Sequence, residues 1–529
     1  MSIREAATVE PDGTHTDTEA SPDKRSIILV FVGLMITMLL ASLDQMIFST
    51  ALPTIVGELN GVNHMVWVTT AYILASTVMM PVYGKLGDLI GRKGLFIGAI
   101  SIFIVGSVIG GLSHDMTTLI AGRAVQGLGG GGLILLSQAI IADVVPARQR
   151  GRYMGAMGGV FALASVAGPL LGGWFTEGIG WRWAFWINIP LGLLAIASAM
   201  AFLHLRKPNL GKPRIDYLGM VLVATAATCL ILFTTWGGNT YAWGSAVIIG
   251  LIVGCVVTAV AFVFVEKRAD EPVIPMHLFA QRNFVLTTVA GLIIGIAMFG
   301  ALAYLPTYIQ MVTGKNDTEA GLMMIPMMAG LLVASIGSGQ LVSKTGRYKI
   351  FPIVGTSIVA VALVLLSRLT PSTSLLVFGC YIALMGIGLG LVMQILILIV
   401  QNTFPAAEVG TATASNNFFR QIGASLGSAI VGSLFASRLT NLLAERLPAN
   451  GGAVGGDENS LTPGILWKLP SQVREIIVGA YNDALAPIFL YLVPLVIAAV
   501  VLLLFVKEKP LATTIDRSAP PLEELTIVA

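Results

Sequence analysis

"GKLGDLIGRK" at residues 84–93 returns, altered but recognisable, as "GQLVSKTGRYK" at 339–349. Gly84, Leu86, Gly91 and Arg92 fall on Gly339, Leu341, Gly346 and Arg347 at one constant offset. Other echoes keep the same order. "ALPT" at 51–54 answers "YLPT" at 304–307, and "PARQRG" at 146–151 answers "PAAEVG" at 405–410. Gly127, Gly129 and Gly131 match Gly386, Gly388 and Gly390, and Gly168 and Gly173 match Gly427 and Gly432. A shared order at near-constant spacing marks a duplicated chain. Two parallel repeats side by side predict a rocking transporter with its substrate cavity between them, near the membrane midplane.

The composition around these echoes is that of a membrane protein. The 529 residues are 55% hydrophobic and only 11% charged, with a mean hydropathy of +0.85. A soluble protein carries about 25% charged residues. Apolar runs recur that are long enough to cross a hydrocarbon core of about 30 Å. The pattern predicts an all-α integral membrane protein with fourteen transmembrane spans. They lie near 27–52, 66–83, 94–112, 117–142, 153–175, 184–204, 217–236, 245–265, 284–311, 320–342, 350–369, 374–401, 410–436 and 484–506. Spans 1–6 and 9–14 form two six-helix bundles, at 26–205 and 283–506. Spans 7 and 8 are two inserted helices, within 206–282. Residues 1–25 and 507–529 read as polar cytoplasmic tails, and 437–483 as one long outer loop containing a short amphipathic helix.

Basic residues orient the chain. With the N-terminus inside, the outer side holds only Arg182, Lys315, Arg368, Arg438, Arg446, Lys468 and Arg474, four of them in the long loop. The inside excess places both termini in the cytoplasm. The remaining basic residues, Arg123 and Arg420, fall within spans.

Charges inside spans are costly, roughly 2.5–3.5 kcal/mol each on insertion scales, and they face a cavity or a partner. Asp44 sits in "LLASLDQMIFSTALPT" (39–54). Nine residues before Pro53, it lies about 13 Å below the outer end of span 1, and Arg123 lies about 10 Å below the same surface on span 4. The expectation is a proton-coupling carboxylate, Asp44, whose proton affinity Arg123 tunes; a purely structural ion pair is the competing reading. In the second half the aligned positions are Ala297, Ile382 and, for Gln126, Met385. The coupling chemistry is therefore expected in the first half. Arg420, with Asn416 and Asn417, offers either cavity-lining donors for an anionic or carbonyl-bearing cargo or hydrogen bonds between helices.

Three further groups complete the expectations. Asp88, Arg92 and Asp143, with Gly84 and Gly91, form a cytoplasmic latch. Gly168, Pro169, Gly172 and Gly173 form a packing hinge that interrupts span 5. Gln126, Tyr72, Tyr304, Tyr308 and Gln394 join the Arg420 group as substrate-cavity residues. The sequence gives no catalytic residue and no metal site. Its five histidines lie in tails, loops or span ends, and no HExxH, CxxC or phosphate-cradling GxxxxGK[ST] spacing occurs. An enzyme and an ATP-driven pump are both disfavoured.

Taken together these stretches resemble the major facilitator superfamily, specifically its fourteen-span drug:proton antiporter branch. Gly84, Leu86, Asp88, Gly91, Arg92 and Lys93 are similar to the family's loop 2–3 motif. "RAVQGLGGG" at 123–131 resembles its fourth-span motif. "GPLLGG" at 168–173 resembles its fifth-span antiporter motif, with Ala164 where a glycine is usual. "LDQMIFSTALP" (43–53), "WRWAFWINIP" (181–190) and "YLPTYIQ" (304–310) are similar to other stretches of the branch. The resemblance implies a monomeric, proton-coupled exporter in a bacterial inner membrane, working by alternating access without a cofactor and driven by the proton gradient, not ATP. Its cargo would be amphipathic, apolar or cationic small molecules such as drugs. An endogenous lipid or metabolite is the alternative cargo, and a non-transporting sensor or scaffold the alternative function. Protons and the bilayer are the other expected partners, with no nucleic acid, and loop 437–483 could dock a periplasmic protein.

Overall fold

The computed structural model describes residues 24–59, 64–205, 214–238, 240–446, 466–467 and 469–514. The expectations for residues 1–23, for 515–529 and for most of the outer loop lie outside these. Backbone polar groups in lipid must be satisfied within the segment itself, so the apolar runs become helices. In chain order they are α1 (Lys24–Glu58), α2 (Met65–Ile90), α3 (Arg92–Gly111), α4 (Met116–Val144), α5 (Ala147–Trp174), α6 (Trp183–Trp186), α7 (Asn188–Phe202), α8 (Tyr217–Trp236), α9 (Ala246–Glu266) and α10 (Arg282–Leu302). There follow α11 (Leu305–Thr313), α12 (Asp317–Leu322), α13 (Ile325–Thr345), α14 (Ile350–Leu366), α15 (Leu375–Gln401), α16 (Val409–Arg446) and α17 (Ser471–Leu504). Among the described residues, thirteen helical stretches are long and apolar enough to cross a membrane, and the 17-residue α14 supplies the fourteenth. Polar residues cap several of them: the side chains of Asp115, Ser245 and Ser374 accept from backbone N–H groups at the starts of α4, α9 and α15.

Several helices outrun their predicted ends. α1 continues through Pro53 to Glu58, and α2 through Pro81 to Ile90. Membrane helices tolerate such prolines because neighbouring groups re-satisfy the freed carbonyl. Span 5 is likewise uninterrupted at Gly168-Pro169. The helix continues through Pro169 to Trp174, and a π-turn at Phe175–Ile179 follows it. The stretch read as a short amphipathic helix in the outer loop is the first part of α17. Its Ile477, Ala480 and Tyr481 are buried, so extending an existing helix needs no new nucleus.

Within the first half α3 and α2 pack on α4, and α1 packs on α5; within the second, α10 packs on α16 and α15 on both α13 and α14. The halves meet along two seams, α5 on α13 and α2 on α16. α8 and α9 pair with each other, and α8 leans on both α2 and α16. The seams close at the face that carries the basic loops. There Gly151 lies against Gly339, and Gly84 against Ala414. Ser335 Oγ donates to Gly155 O (3.1 Å), and Gln401 Nε2 donates to Gln138 O (3.0 Å). An added Cβ on Gly155 would stand 2.4 Å from Ser335 O, so this contact needs a bare backbone. The molecule is held with its basic face shut.

Candidate functional site: a buried ionic cluster and a basic-face latch

α3 and α4 approach so closely that an added Cβ on Gly106 would stand 2.3 Å from Gln126 N. That approach brings Ser107 of α3 against Arg123 and Gln126, which share one face of α4 at i, i+3 spacing. Asp44 comes in from α1 and Asn188 from the first turn of α7. Arg123 Nη1 donates to Asp44 Oδ2 (2.5 Å) and to Gln126 Oε1 (2.7 Å). The other carboxylate oxygen, Asp44 Oδ1, accepts from Asn188 Nδ2 (2.9 Å) and Gln126 Nε2 (3.1 Å). Both amides also donate to Ser107 Oγ, at 3.2 and 2.8 Å. The rings of Phe48 and Tyr72 both lie against the guanidinium, with centroids 4.2 and 4.4 Å from Arg123 Cζ. Such cation–π contacts favour a desolvated cation.

The cluster is sealed. The Asp44 side chain is 0% exposed and that of Arg123 2%. Removing one partner of such a pair leaves an uncompensated buried charge, at a cost of about 3–5 kcal/mol. Chemically, it is one ionisable carboxylate held by one cation and two amides. A proton arriving on Asp44 cancels the charge that Arg123 pairs with and turns an acceptor into a donor. Four helices feel that change at once.

This geometry corrects two assignments. Tyr72 and Gln126 do not line a cavity: both are fully buried in the cluster. Asn188 and Ser107 escaped the sequence reading. Asn188 could have been found, because it is a polar residue in the apolar "WINIP" run. Ser107 could not, because a serine can satisfy itself within its own helix, and this one also donates to Phe103 O.

The second site is the latch. Asp88, in the last turn of α2, accepts from Arg92 Nη2 (2.6 Å), Gly410 N (3.1 Å), Thr411 N (2.7 Å) and Thr411 Oγ1 (2.8 Å). A carboxylate from the first half thus caps the α16 N-terminus of the second, where the helix dipole favours an anion. Gly91, at φ 95°, makes the turn that swings Arg92 back. Arg92 also pairs with Asp143 and donates to Ala139 O and Ala406 O (3.2 Å each). Arg148 reaches across to Ser343 O (3.0 Å) and Lys344 O (2.7 Å), and Arg150 to Gln401 O (3.4 Å).

The linker after the inserted pair joins this latch. Lys85 Nζ donates to Glu271 Oε2 (2.6 Å). Glu266, at the end of α9, accepts from Val273 N and Ile274 N (3.2 Å each) and so shapes the linker. Val273, Ile274 and Leu278 pack with Phe284, Phe404 and Ala412 of the second half. Glu271→Gln is expected to loosen the latch mildly, because the pair is partly exposed and worth about 1 kcal/mol or less. Transport rates in vesicles should change by no more than about fivefold, and more at low than at high salt. A complete loss of transport would show that the linker does something other than brace the latch.

The remaining candidates divide. Asn417 Nδ2 donates across the seam to Gln138 Oε1 (2.8 Å), whereas Asn416 Nδ2 is spent within its own half on Thr288 Oγ1 (3.2 Å). Gln394 lies at the seam beside Gly158, its Oε1 buried without a partner among the described residues. The Arg420 side chain, half-buried, has no hydrogen bond or ion pair among the described residues. The Tyr308 and Tyr304 hydroxyls both bond within the second half. The Tyr308 hydroxyl donates to Asn482 Oδ1 (2.7 Å) inside the second-half core, and that of Tyr304 to Ser428 O (3.3 Å). Gly168 and Gly172 let α5 meet Met46, Ile47 and Thr50 of α1, while Gly173 faces open space. Beyond the outer end of span 1, Glu58 accepts from Arg182 Nη1 and Trp181 Nε1 (2.8 Å each), and these bonds hold its carboxyl below its usual range.

Comparison with known proteins agrees with this architecture. Residues 34–428 match the model of the Major Facilitator Superfamily. The chain is 44% identical over 497 residues to an uncharacterized MFS-type transporter of Mycobacterium tuberculosis, covering 94% of this chain and 71% of that one. It is 38% identical to the multidrug transporter protein MdtP of Bacillus subtilis, over 81% of this chain and 79% of the relative. Its fold is similar to the solved structure of the proton:xylose symporter XylE, with a TM-score of 0.60 at 14% identity, over 92% of this chain and 98% of the symporter. The chain, a multi-pass membrane transporter, belongs to the major facilitator superfamily.

Proposed function

We propose that the protein is a proton-coupled exporter, an antiporter that moves amphipathic, apolar or cationic small molecules such as drugs out of the cytoplasm by alternating access. The observation that carries this reading is the one-sided cluster. Asp44 has a cation and two amides dedicated to it, while the aligned Ala297, Ile382 and Met385 are apolar core in the second half. A merely structural pair would have no reason to keep the acid and its whole polar shell in one bundle only, with apolar residues at the aligned positions of the other. Relatives named as multidrug transporters support the choice of cargo.

In this scheme Asp44 is ionised while the basic face is shut and Arg123 holds it. A proton entering from outside neutralises Asp44 and frees Arg123, so α1, α3, α4 and α7 lose their shared tie. The conformational balance then shifts by the differential affinity of the proton for the two states. Once the latch opens, Asp44 releases the proton inward, restores its pair and completes the exchange for cargo. Asn417, Gln394 and Arg420 are the polar side chains assigned to the path between the halves. Neither ATP nor a bound cofactor takes part.

The test is transport by purified protein in liposomes under an imposed pH gradient, with a cationic dye, a neutral drug and a fluorescent lipid as cargo. Dye or drug movement that dissipates the gradient supports the proposal, and added ATP leaves it unchanged. Movement of lipid alone would replace the cargo while keeping the mechanism. No flux of any cargo would favour the sensor reading.

A further inference from the structure

A cleft of about 400 Å³ opens at the basic face between α5 and α13. Gln149, Arg152 and Tyr153 line it from the first half, and Gln340, Ser343 and Lys344 from the second. Two of these residues are cations and none is an acid. The frame of the cleft is fixed: Arg148 caps Ser343 O and Lys344 O, and Ser343 Oγ accepts from Arg152 N (2.9 Å) and donates to Gln149 O (3.4 Å). The charged ends are not used by this frame. Among the described residues, neither the Arg152 guanidinium nor the Lys344 ammonium has a hydrogen-bond or ion-pair partner. A concave wall with two uncommitted cations, a hydroxyl and two amides is chemistry for an oxyanion.

The position says which oxyanion. α5 begins at Ala147 and α13 ends at Thr345, so the cleft lies where both spans emerge, at headgroup depth. The ring of Tyr153 rests edge-on against Phe31, 4.8 Å away, in the apolar part of α1. Above the cleft, in helical register, each wall carries one exposed aliphatic side chain. Leu163 stands three turns beyond Arg152 on α5 and is 57% exposed. Val333 stands two turns beyond Gln340 on α13 and is 71% exposed. Cations at the rim with an exposed aliphatic stripe leading into the membrane fit a headgroup and its acyl chain better than a soluble anion.

We propose that this cleft binds the phosphate of an anionic phospholipid from the adjacent leaflet, with an acyl chain along the Leu163–Val333 stripe. The two walls belong to different halves, so the lipid bridges them only while the seam is shut. It therefore favours the closed basic face and slows inward opening when anionic lipid is plentiful.

The test is native mass spectrometry of the full chain released from nanodiscs that contain phosphatidylglycerol. The parent should carry bound phosphatidylglycerol. Arg152→Gln/Lys344→Gln should lose it about thirtyfold, which is ~1 kcal/mol for each of two cations near an anionic surface. Arg152→Lys should keep most of it. Lys267→Gln/Arg268→Gln, an equal loss of exposed charge elsewhere on the same face, should change it less than about twofold. Because all four residues are exposed, these variants should fold as the parent does. Equal retention in the parent and the cleft variant, or equal loss in both double variants, overturns the site. Inorganic phosphate bound in neutral-lipid nanodiscs, with the same dependence on Arg152 and Lys344, overturns the lipid and leaves a soluble-anion site.

Discussion

Asp44→Asn is expected to abolish gradient-driven export while cargo exchange without a gradient persists. The substitution keeps size and shape but removes the charge that Arg123 Nη1 meets at 2.5 Å. It also places an amide N–H₂ where two oxygens accept from Arg123, Asn188 and Gln126, so a donor must face a donor. With no group that titrates, a proton gradient has nothing to bind, yet the halves can still rock. A structural pair makes a different prediction, namely lost stability with coupling intact. Arg123→Met separates the two further. It leaves the Asp44 carboxylate buried with amides alone and should destabilise the protein by about 3–5 kcal/mol, more than Asp44→Asn/Arg123→Met does. A double-mutant cycle read by thermal unfolding in detergent measures that coupling. Full gradient-driven export in a well-expressed Asp44→Asn would remove the proposed role.

The second large effect is expected at Asp88. Four donors converge on its carboxylate, three of them from Gly410 and Thr411 across the seam. In Asp88→Asn one oxygen becomes an N–H₂ that faces backbone N–H groups, and the charge at the α16 N-terminus is lost. Charge-assisted bonds contribute about 1.5–3 kcal/mol each, so losing two moves the closed-to-open ratio at least about a hundredfold. The reporter is Ser335→Cys, a near-isosteric change at a seam residue that is 1% exposed. Cys229, Cys255 and Cys380 would be replaced in the same chain. A maleimide added from the basic face should label Cys at 335 slowly in the parent background and rapidly with Asp88→Asn, with slower export. Equal labelling rates would mean that Asp88 does not hold the seam shut.

How much of this was legible in the sequence depends on what each residue stands out against. Asp44 and Arg123 are conspicuous because a charge in an apolar run is costly, and counting residues along the helix placed them at matching depth. Counting gives depth but not direction around the axis. The helices are crowded with glycine and alanine on every side, so no apolar stripe showed which face was core. From the sequence Tyr72, Gln126 and Tyr308 therefore look like cavity residues, whereas Tyr72 and Gln126 face the cluster and the Tyr308 hydroxyl faces Asn482. The latch was half visible. Asp88, Arg92 and Asp143 are near neighbours along or between adjacent spans. The α16 N-terminus that Asp88 also grips is more than 300 residues away, and only the "PAAEVG" echo pointed to that segment. The fourteen spans followed from hydropathy alone. Their ends did not, because Pro53 looks like a break, the polar stretch after Tyr83 looks like a loop although α2 runs on to Ile90, and the start of α17 is set by tertiary burial of Ile477 and Tyr481.

In the proposed cycle Asp44 changes protonation between the two states, and infrared difference spectroscopy reads that change directly. Protein cross-linked shut at the basic face would be compared with protein held open there, in the parent and in Asp44→Asn. The expected result is a protonated-carboxyl C=O band that differs between the two states of the parent and is missing from the Asp44→Asn difference spectrum. A parent spectrum with no state-dependent carboxyl band, or one that Asp44→Asn leaves unchanged, would contradict it.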